Sequence, residues 1–188
     1  TRKIPLDDGL LEEAFERRRM GEARAGSDEQ TLLRVARHEA GHAVLAWQQG
    51  SVPVQMTIMA RGGAGGYVEH ESREELSILT RGDLQARIRG LLGGRAAELL
   101  YYGPDEGLST GASSDLERAS SIALQMVGTY GMDPAYGLLS LPRSGQRHAG
   151  PPEDVRLHAR KLLQGEMDRT VAILEHHRDT CDRLVTAL

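Results

Sequence analysis

The sequence predicts a mainly α-helical domain with a small β-hairpin set beside its first long helix. Three observations carry that expectation. Successive stretches repeat apolar residues at three- and four-residue intervals, the pattern of helices with one buried face. Aromatic residues make up only 4% of the chain, so Leu, Ala, Val, Ile and Met must fill the core, a composition that favours helix. One region breaks the pattern with two strand-like runs joined by a glycine-rich connection. The 188 residues suit one domain, with room for an extra N-terminal arm, and suffice for a core that needs no staples.

Composition narrows the function classes. A net charge of −4 with mixed signs leaves no basic footprint for nucleic acid, and no apolar run approaches the roughly 20 residues needed to cross a bilayer. The chain is expected to be soluble as given. A single cysteine, Cys181, excludes an internal disulfide and suits a reducing compartment; its expected role is a small buried hydrophobe on a C-terminal helix. No signal peptide is visible, and a start at Thr1 without Met suggests a piece of something longer.

Taken in order, residues 1–26 are polar and charged, with a short helix around Leu10, Leu11, Ala14 and Phe15 that ends in Arg17-Arg18-Arg19-Met20-Gly21. They read as a linker or the tail of a preceding domain, and the arginine run as a solvated face. Ser27-Asp28-Glu29-Gln30 then reads as a capping box opening a helix over 28–49, with Leu32, Leu33, Val35, Ala36, Ala40, Ala43, Val44 and Trp47 on its apolar side and a stop at Gly50. Val52–Met59 and Gly66–His70 read as paired strands joined by a mobile Arg61–Gly66 connection. That connection lacks the Lys-Ser/Thr of a phosphate-binding loop and opens no helix.

From Thr80 helical periods return through Leu84, Ile88, Leu91, Leu92, Ala96, Leu99 and Leu100 to the breakers Gly103-Pro104. Gly93-Gly94 inside this run implies either tight packing or a break between helices. A loop over 103–112 leads to a helix opening at Ser113-Ser114-Asp115 and running to Gly131. Residues 131–151, rich in Gly, Pro and Ser, are expected to form a flexible loop. Pro151-Pro152-Glu153-Asp154 restarts a helix to about His176, and a last helix follows from about Asp179.

The chemistry concentrates in His38-Glu39-Ala40-Gly41-His42, an HExxH box. On a helix, residues four apart leave the same face about 6 Å apart in height, so both imidazoles can converge on one ion. Glu39 sits one step round, where it can reach a water on that ion without ligating it. Gly41 costs a helix about 1 kcal/mol relative to Ala, which points to another element approaching closely between the two histidines.

A catalytic zinc takes three protein ligands and keeps one position open, so a third ligand is needed. The metzincin pattern is excluded, because it requires Gly and His where this chain has Leu45 and Gln48. Glu69, Glu71, Glu74, Glu75, Glu98 and Asp115 remain as candidates. Glu98 lies in an apolar helical run with Arg95 three residues back as a local ion-pair partner. Asp115 has no Arg or Lys at three or four residues before it, and its short side chain at a helix start loses little entropy when pinned to a metal. Taken alone Asp115 also reads as a helix-start carboxylate interacting with the dipole, so the choice stays open at this point, Asp115 being the better placed of the two and Glu98 suited to a supporting role behind the ligands. His70, His148, His158, His176 and His177 are expected as surface or core histidines, and Trp47 and the methionines as core.

His38–Ala43, Arg61-Gly62 before Gly66-Tyr67, Leu91-Leu92-Gly93-Gly94-Arg95-Ala96-Ala97-Glu98, Ser109–Ala119 and Tyr130-Gly131-Met132, in that order, together resemble the peptidase domain of FtsH-type AAA+ proteases. The resemblance covers roughly residues 10–188. It implies a helical zinc-peptidase domain over 27–188, with residues 1–26 joining it to an ATPase domain that this sequence lacks. It implies Zn2+ held by His38, His42 and Asp115, with Glu39 as the base. It further implies unfolded or membrane-protein substrates, a homo-hexameric parent anchored in a membrane, and a peptidase domain facing the cytosol. Several positions depart from the family's pattern. Ala60 stands where Pro is usual, Ala64-Gly65-Gly66 replaces Ala-Leu-Gly, Leu99 replaces a second Glu, and Ser114 replaces the common Asn before Asp115. None touches the inferred zinc chemistry.

The residues permit metal-assisted amide hydrolysis: zinc brings the pKa of water to about 7, and Glu39 takes the proton and later delivers it to the leaving amine. Extended substrates could add to the strand edge at 52–59 by main-chain hydrogen bonds, which tolerates many sequences. Two other readings compete, a catalytically silent scaffold or regulatory subunit of the same fold, and a helical interaction module whose HExxH is accidental. Retention of Glu39 speaks against the first, and metal content separates the second.

Overall fold

Asp28 starts the first described helix, α1 (Glu29–Gln48), by accepting a hydrogen bond from the Thr31 N–H at 2.7 Å. The structure is a computed structural model that describes residues 28–50, 78–141 and 150–188, together with the backbone of 53–57 and 67–70. The expected N-terminal helix and linker, the glycine-rich connection, and Glu71, Glu74 and Glu75 lie outside the described residues. Within them the chain is mainly helical. The cap differs from the expected capping box: a single side-chain bond from Asp28 satisfies the first turn, because the next acceptor needed, at the third helical position, is Thr31 rather than Glu or Gln.

The buried side of α1 is made of small residues: Ala36, Ala40, Gly41 and Ala43, then Val44, Leu45 and Ala46. Trp47, expected in the core, is 53% exposed and meets His177 edge to face instead. The reason is size. A surface lined by Ala and Gly lets a neighbouring backbone come close, and a bulky indole fits only at the margin of such a contact. After α1, strands β1 (Pro53–Thr57) and β2 (Tyr67–His70) pair antiparallel, with Met56 opposite Val68 and an irregularity between Pro53 and Gln55.

The next helix, α2 (Arg81–Glu106), is the axis on which the rest is assembled. Thr80 and Asp83 close a reciprocal capping box at its start, Thr80 N to Asp83 Oδ2 at 2.8 Å and Asp83 N to Thr80 Oγ1 at 3.3 Å. Gly103-Pro104 kinks the helix rather than ending it. Gly103 takes φ 75°, a left-handed conformation open to glycine, and helical hydrogen bonding resumes to Glu106. Beyond it follow α3 (Ser113–Gly128), α4 (Glu153–His176) and α5 (Arg178–Ala187).

Two apolar clusters hold these helices. Leu84, Ile88 and Leu92 of α2 meet Ala119, Ala123, Met126 and Val127 of α3 and Val155 and Ala159 of α4. On the other side, Val44 and Leu45 of α1 meet Ala96 and Ala97 of α2, Leu174 of α4 and Cys181 of α5. Cys181 is fully buried, a small hydrophobe on the last helix as expected. Each fully buried Leu, Ile or Met contributes about 1.5–3 kcal/mol, so few aromatics are needed.

The expected loop over 131–151 is tied down in its first half: Met132 N bonds to Met126 O at 2.9 Å and Leu141 N to Gly128 O at 2.7 Å. Asp133 accepts from Ala135 N at 2.8 Å and pairs with His158 of α4 at 3.0 Å. These bonds give His158 a structural partner.

Candidate metal centre

Glycine decides how close α1 and α2 come. A Cβ on Gly41 would collide with the Gly93 carbonyl oxygen and lie 2.7 Å from the Ala97 Cβ and 2.9 Å from the Gly93 carbonyl carbon. The two backbones therefore touch between the histidines, the approach anticipated from Gly41, and Gly93-Gly94 marks tight packing rather than a break. On the same contact, the position a Gly94 Cβ would occupy is filled by the His38 ring.

That proximity orients both imidazoles. His38 Nδ1 lies 2.7 Å from Glu98 Oε1, and His42 Nδ1 lies 2.8 Å from the Gly90 carbonyl oxygen. With Nδ1–H donated in each ring, both Nε2 atoms present lone pairs on the same side. Asp115, in the first turn of α3, completes the group. The Nε2 atoms stand 3.2 Å apart, and Asp115 Oδ2 is 3.3 Å from His42 Nε2 and 3.7 Å from His38 Nε2.

These separations suit zinc. Ligand atoms about 2.0–2.1 Å from a tetrahedral centre stand about 3.3 Å from one another. A circle through the three donor atoms has a radius of about 2.0 Å, so an ion slightly above their plane would reach all three at bonding distance. Two neutral imidazoles and a carboxylate form a borderline donor set that takes a transition metal, and three ligands leave one position of a tetrahedral ion for water. His38, His42 and Asp115 are thus close enough to hold a metal ion.

The electrostatics agree with a cation site. Burial disfavours the charged form of His38, but hydrogen bonds to Asp115 and Glu98 outweigh it and raise its pKa to about 9 in the metal-free protein. Burial also pushes against ionised Asp115, yet hydrogen bonds from His38 and His42 hold its carboxyl well below the usual carboxylate range. Glu98 is likewise lowered, burial being outweighed by bonds from His38 and Ser109. Glu39 differs. It is 7% exposed, and burial raises its pKa against the opposing pull of His42 and His38. The metal-free protein therefore holds a proton on His38, which a metal ion would displace, beside a carboxylate whose own affinity for protons is raised.

The structure brings together His38, Glu39, His42 and Asp115, the four residues picked from the sequence. Glu98 stands behind His38, as anticipated, but its expected pairing with Arg95 gives way. Glu98 bonds His38 and Arg34, while Arg95 reaches past it to the Ser109 carbonyl at 2.6 Å. Helical neighbours three apart are only one option for a buried carboxylate, and here a facing helix offers better donors. Two participants were missed. Arg34 carried a signal, since it falls one turn before His38 on the same face; the Gly90 carbonyl carried none, because backbone groups leave no trace in residue identity.

Residues 26–188 match the pattern of Peptidase family M41. The chain is 36% identical over its full length to the ATP-dependent zinc metalloprotease FtsH 2 of Sphaerobacter thermophilus, of which it covers 29%. It is 35% identical over 95% of its length to the ATP-dependent zinc metalloprotease YME1L of Drosophila melanogaster, covering 25% of that protein. Over 58% of its length it is 46% identical to an FtsH 2 of Symbiobacterium thermophilum bearing the same description, covering 18% of it. The chain thus spans less than a third of the length of these relatives. With a metal-ready group of two histidines and an aspartate inside the matched region, this chain belongs to peptidase family M41, as an FtsH-type peptidase domain.

Proposed function

We propose that this chain is a zinc-dependent endopeptidase that hydrolyses peptide bonds of unfolded or extended protein substrates. The observation that carries the reading is the convergence of three donor atoms beside a buried carboxylate of raised pKa. His38, His42 and Asp115 would hold the ion. When bound, zinc in such a site lowers the pKa of water to about 7 and polarises a carbonyl.

The protein's own groups divide the remaining work. Glu98 and the Gly90 carbonyl hold the two rings with Nε2 forward. Glu39 takes up a proton and returns it to the leaving amine nitrogen, a role suited to a carboxylate shifted toward neutrality. A peptide added along the edge of β1 would be gripped by its backbone, giving broad sequence tolerance.

Residues 27–188 form the peptidase domain in this reading, and 1–26 join it to an AAA+ ATPase domain outside the chain, which feeds it substrate. That the FtsH 2 and YME1L relatives are ATP-dependent proteases supports that division. The parent would be a homo-hexamer anchored in a membrane with this domain in the cytosol. Among the described residues no helix is long and apolar enough to cross a membrane. Zinc content and cleavage of a flexible peptide, measured for the wild type and Glu39→Gln, test the reading. The expected result is zinc in both and cleavage in the wild type alone. Zinc without cleavage in the wild type would favour a silent scaffold.

A further inference from the structure

We propose that Arg34 is a positioning residue for the metal centre, one that fixes Glu98 behind His38 while fastening α1 to the segment that leads to Asp115. The inference rests on the reading of His38, His42 and Asp115 as the zinc ligands. Arg34 lies one helical turn before His38 on the same face of α1. Its guanidinium stacks 4.0 Å from the centre of the Tyr102 ring. From there Nη1 donates to the Glu106 carbonyl at 2.7 Å and reaches Glu98 Oε2 at 3.4 Å.

The two oxygens of Glu98 thereby take different partners, Oε1 facing His38 Nδ1 at 2.7 Å and Oε2 facing Arg34, with the Ser109 side chain a further donor to the carboxylate. A carboxylate held at one oxygen can swing about the other, whereas one held at both presents Oε1 to the ring in a single direction. Glu98 is 1% exposed, so no solvent can replace a lost partner. The second contact matters differently. Glu106 is the last residue of α2, beyond the Gly103 kink, and only residues 107–112 separate it from the helix that carries Asp115. Arg34 therefore spans both routes by which ligands reach the centre, His38 through Glu98 and Asp115 through the end of α2.

Arginine suits this task because one planar group can stack on an aromatic face and donate at its edge in separate directions; lysine supplies the charge alone. Arg37 provides an internal comparison. It lies on the same helix, 4.5 Å from the centre of the Tyr101 ring and 5.0 Å from that of Tyr102. Among the described residues it makes no hydrogen bond to Glu98 or to the end of α2.

The test measures zinc affinity by chelator competition, the absorption spectrum of the cobalt-substituted protein, and thermal melting. The proteins compared are the wild type, Arg34→Met, Arg34→Lys, Arg37→Met, Glu98→Gln and the Arg34→Met, Glu98→Gln pair. Arg34→Met is expected to weaken zinc binding about 10-fold, the low end for partners behind metal ligands, and to shift the cobalt bands. Arg34→Lys should recover part of the loss, and it carries the test should Arg34→Met fail to fold. Arg37→Met should lower the melting temperature with affinity unchanged. In the Glu98→Gln background Arg34→Met should add less than it costs alone, since the part of its effect that reaches His38 runs through that carboxylate and only the part through the Glu106 carbonyl remains. Wild-type affinity in folded Arg34→Met, equal losses from Arg34→Met and Arg37→Met, or a full loss that persists without Glu98 would each overturn the inference alone. A wild type that takes up no zinc would overturn the metal centre itself, and this inference with it.

Discussion

Gly94→Ala separates the metal centre from the fold. The added Cβ would lie 2.5 Å from His38 Cδ2 and nearer still to Cε1 and Nε2, where non-bonded carbons need about 3.5–4.0 Å. The ring must yield, because it is the free end of a side chain and α2 is not. Its displacement exceeds about 1 Å at the donor atom, several times the roughly 0.2 Å that a ligand distance tolerates. Zinc affinity should then fall by more than about 100-fold, or about 2.7 kcal/mol, beyond the range for partners behind the ligands. Stability of the metal-free protein should move less. Replacing Gly in a helix interior contributes about 1 kcal/mol, which offsets part of the roughly 1.5–3 kcal/mol tied to the His38–Glu98 bond. Chelator competition and melting in EDTA read the two quantities separately. A folded Gly94→Ala chain with wild-type zinc affinity would refute the placement of His38 against α2.

Gly41→Ala should act the other way, destabilising the fold by about 1–3 kcal/mol despite its better helix propensity, since the new methyl meets backbone that cannot step aside; urea unfolding in EDTA measures it. Asp115→Ala should lose more than about 100-fold in zinc affinity and Glu98→Ala about 10–100-fold, and a larger loss for Glu98 would reverse their roles. Without metal, stability should decline as pH rises. The folded pKa of His38, about 9, lies above its ordinary 6.5, so its contribution is complete below about pH 6.5 and is lost as pH climbs through 9. Zinc must displace that proton, so stabilisation by zinc should grow over the same interval; urea midpoints with EDTA or with zinc, from pH 6 to 9, check both slopes.

Much of this was legible because helical spacing is a strong constraint. Four residues on a helix define a face, so His38 and His42 could be paired, and Gly41 between them could be read as a contact point. Asp115 was reachable only by combining its position at a helix start with the family resemblance. What stayed hidden depends on which helix faces which. The partners of Glu98 could not be read from its own neighbours, since Arg34 is 64 residues away along the chain. Trp47 misled for a related reason: its apolar character placed it inside, whereas it lies at the last turn of α1, largely exposed, with its ring set edge to face with His177. Residues 131–141 looked loose by composition, yet backbone bonds to α3 and the Asp133–His158 pair, both set by tertiary packing, hold them.

The HExxH sequence is therefore not sufficient for the centre it marks. Two histidines one turn apart on an isolated helix can rotate through several side-chain wells, and each ring can carry its proton on either nitrogen. Here both choices are made by α2, whose Glu98 and Gly90 carbonyl take the Nδ1 protons and whose Gly94 leaves room for the His38 ring. Those three groups lie within one stretch of α2, and they reach α1 only because Gly41 and Gly93 let the two backbones touch. A methyl at that crossing would leave every ligand present in the sequence, while moving α2 away from the rings it orients. The precision of the metal centre thus belongs to a glycine–glycine helix crossing, and the ligand motif is legible in the chain only as one half of it.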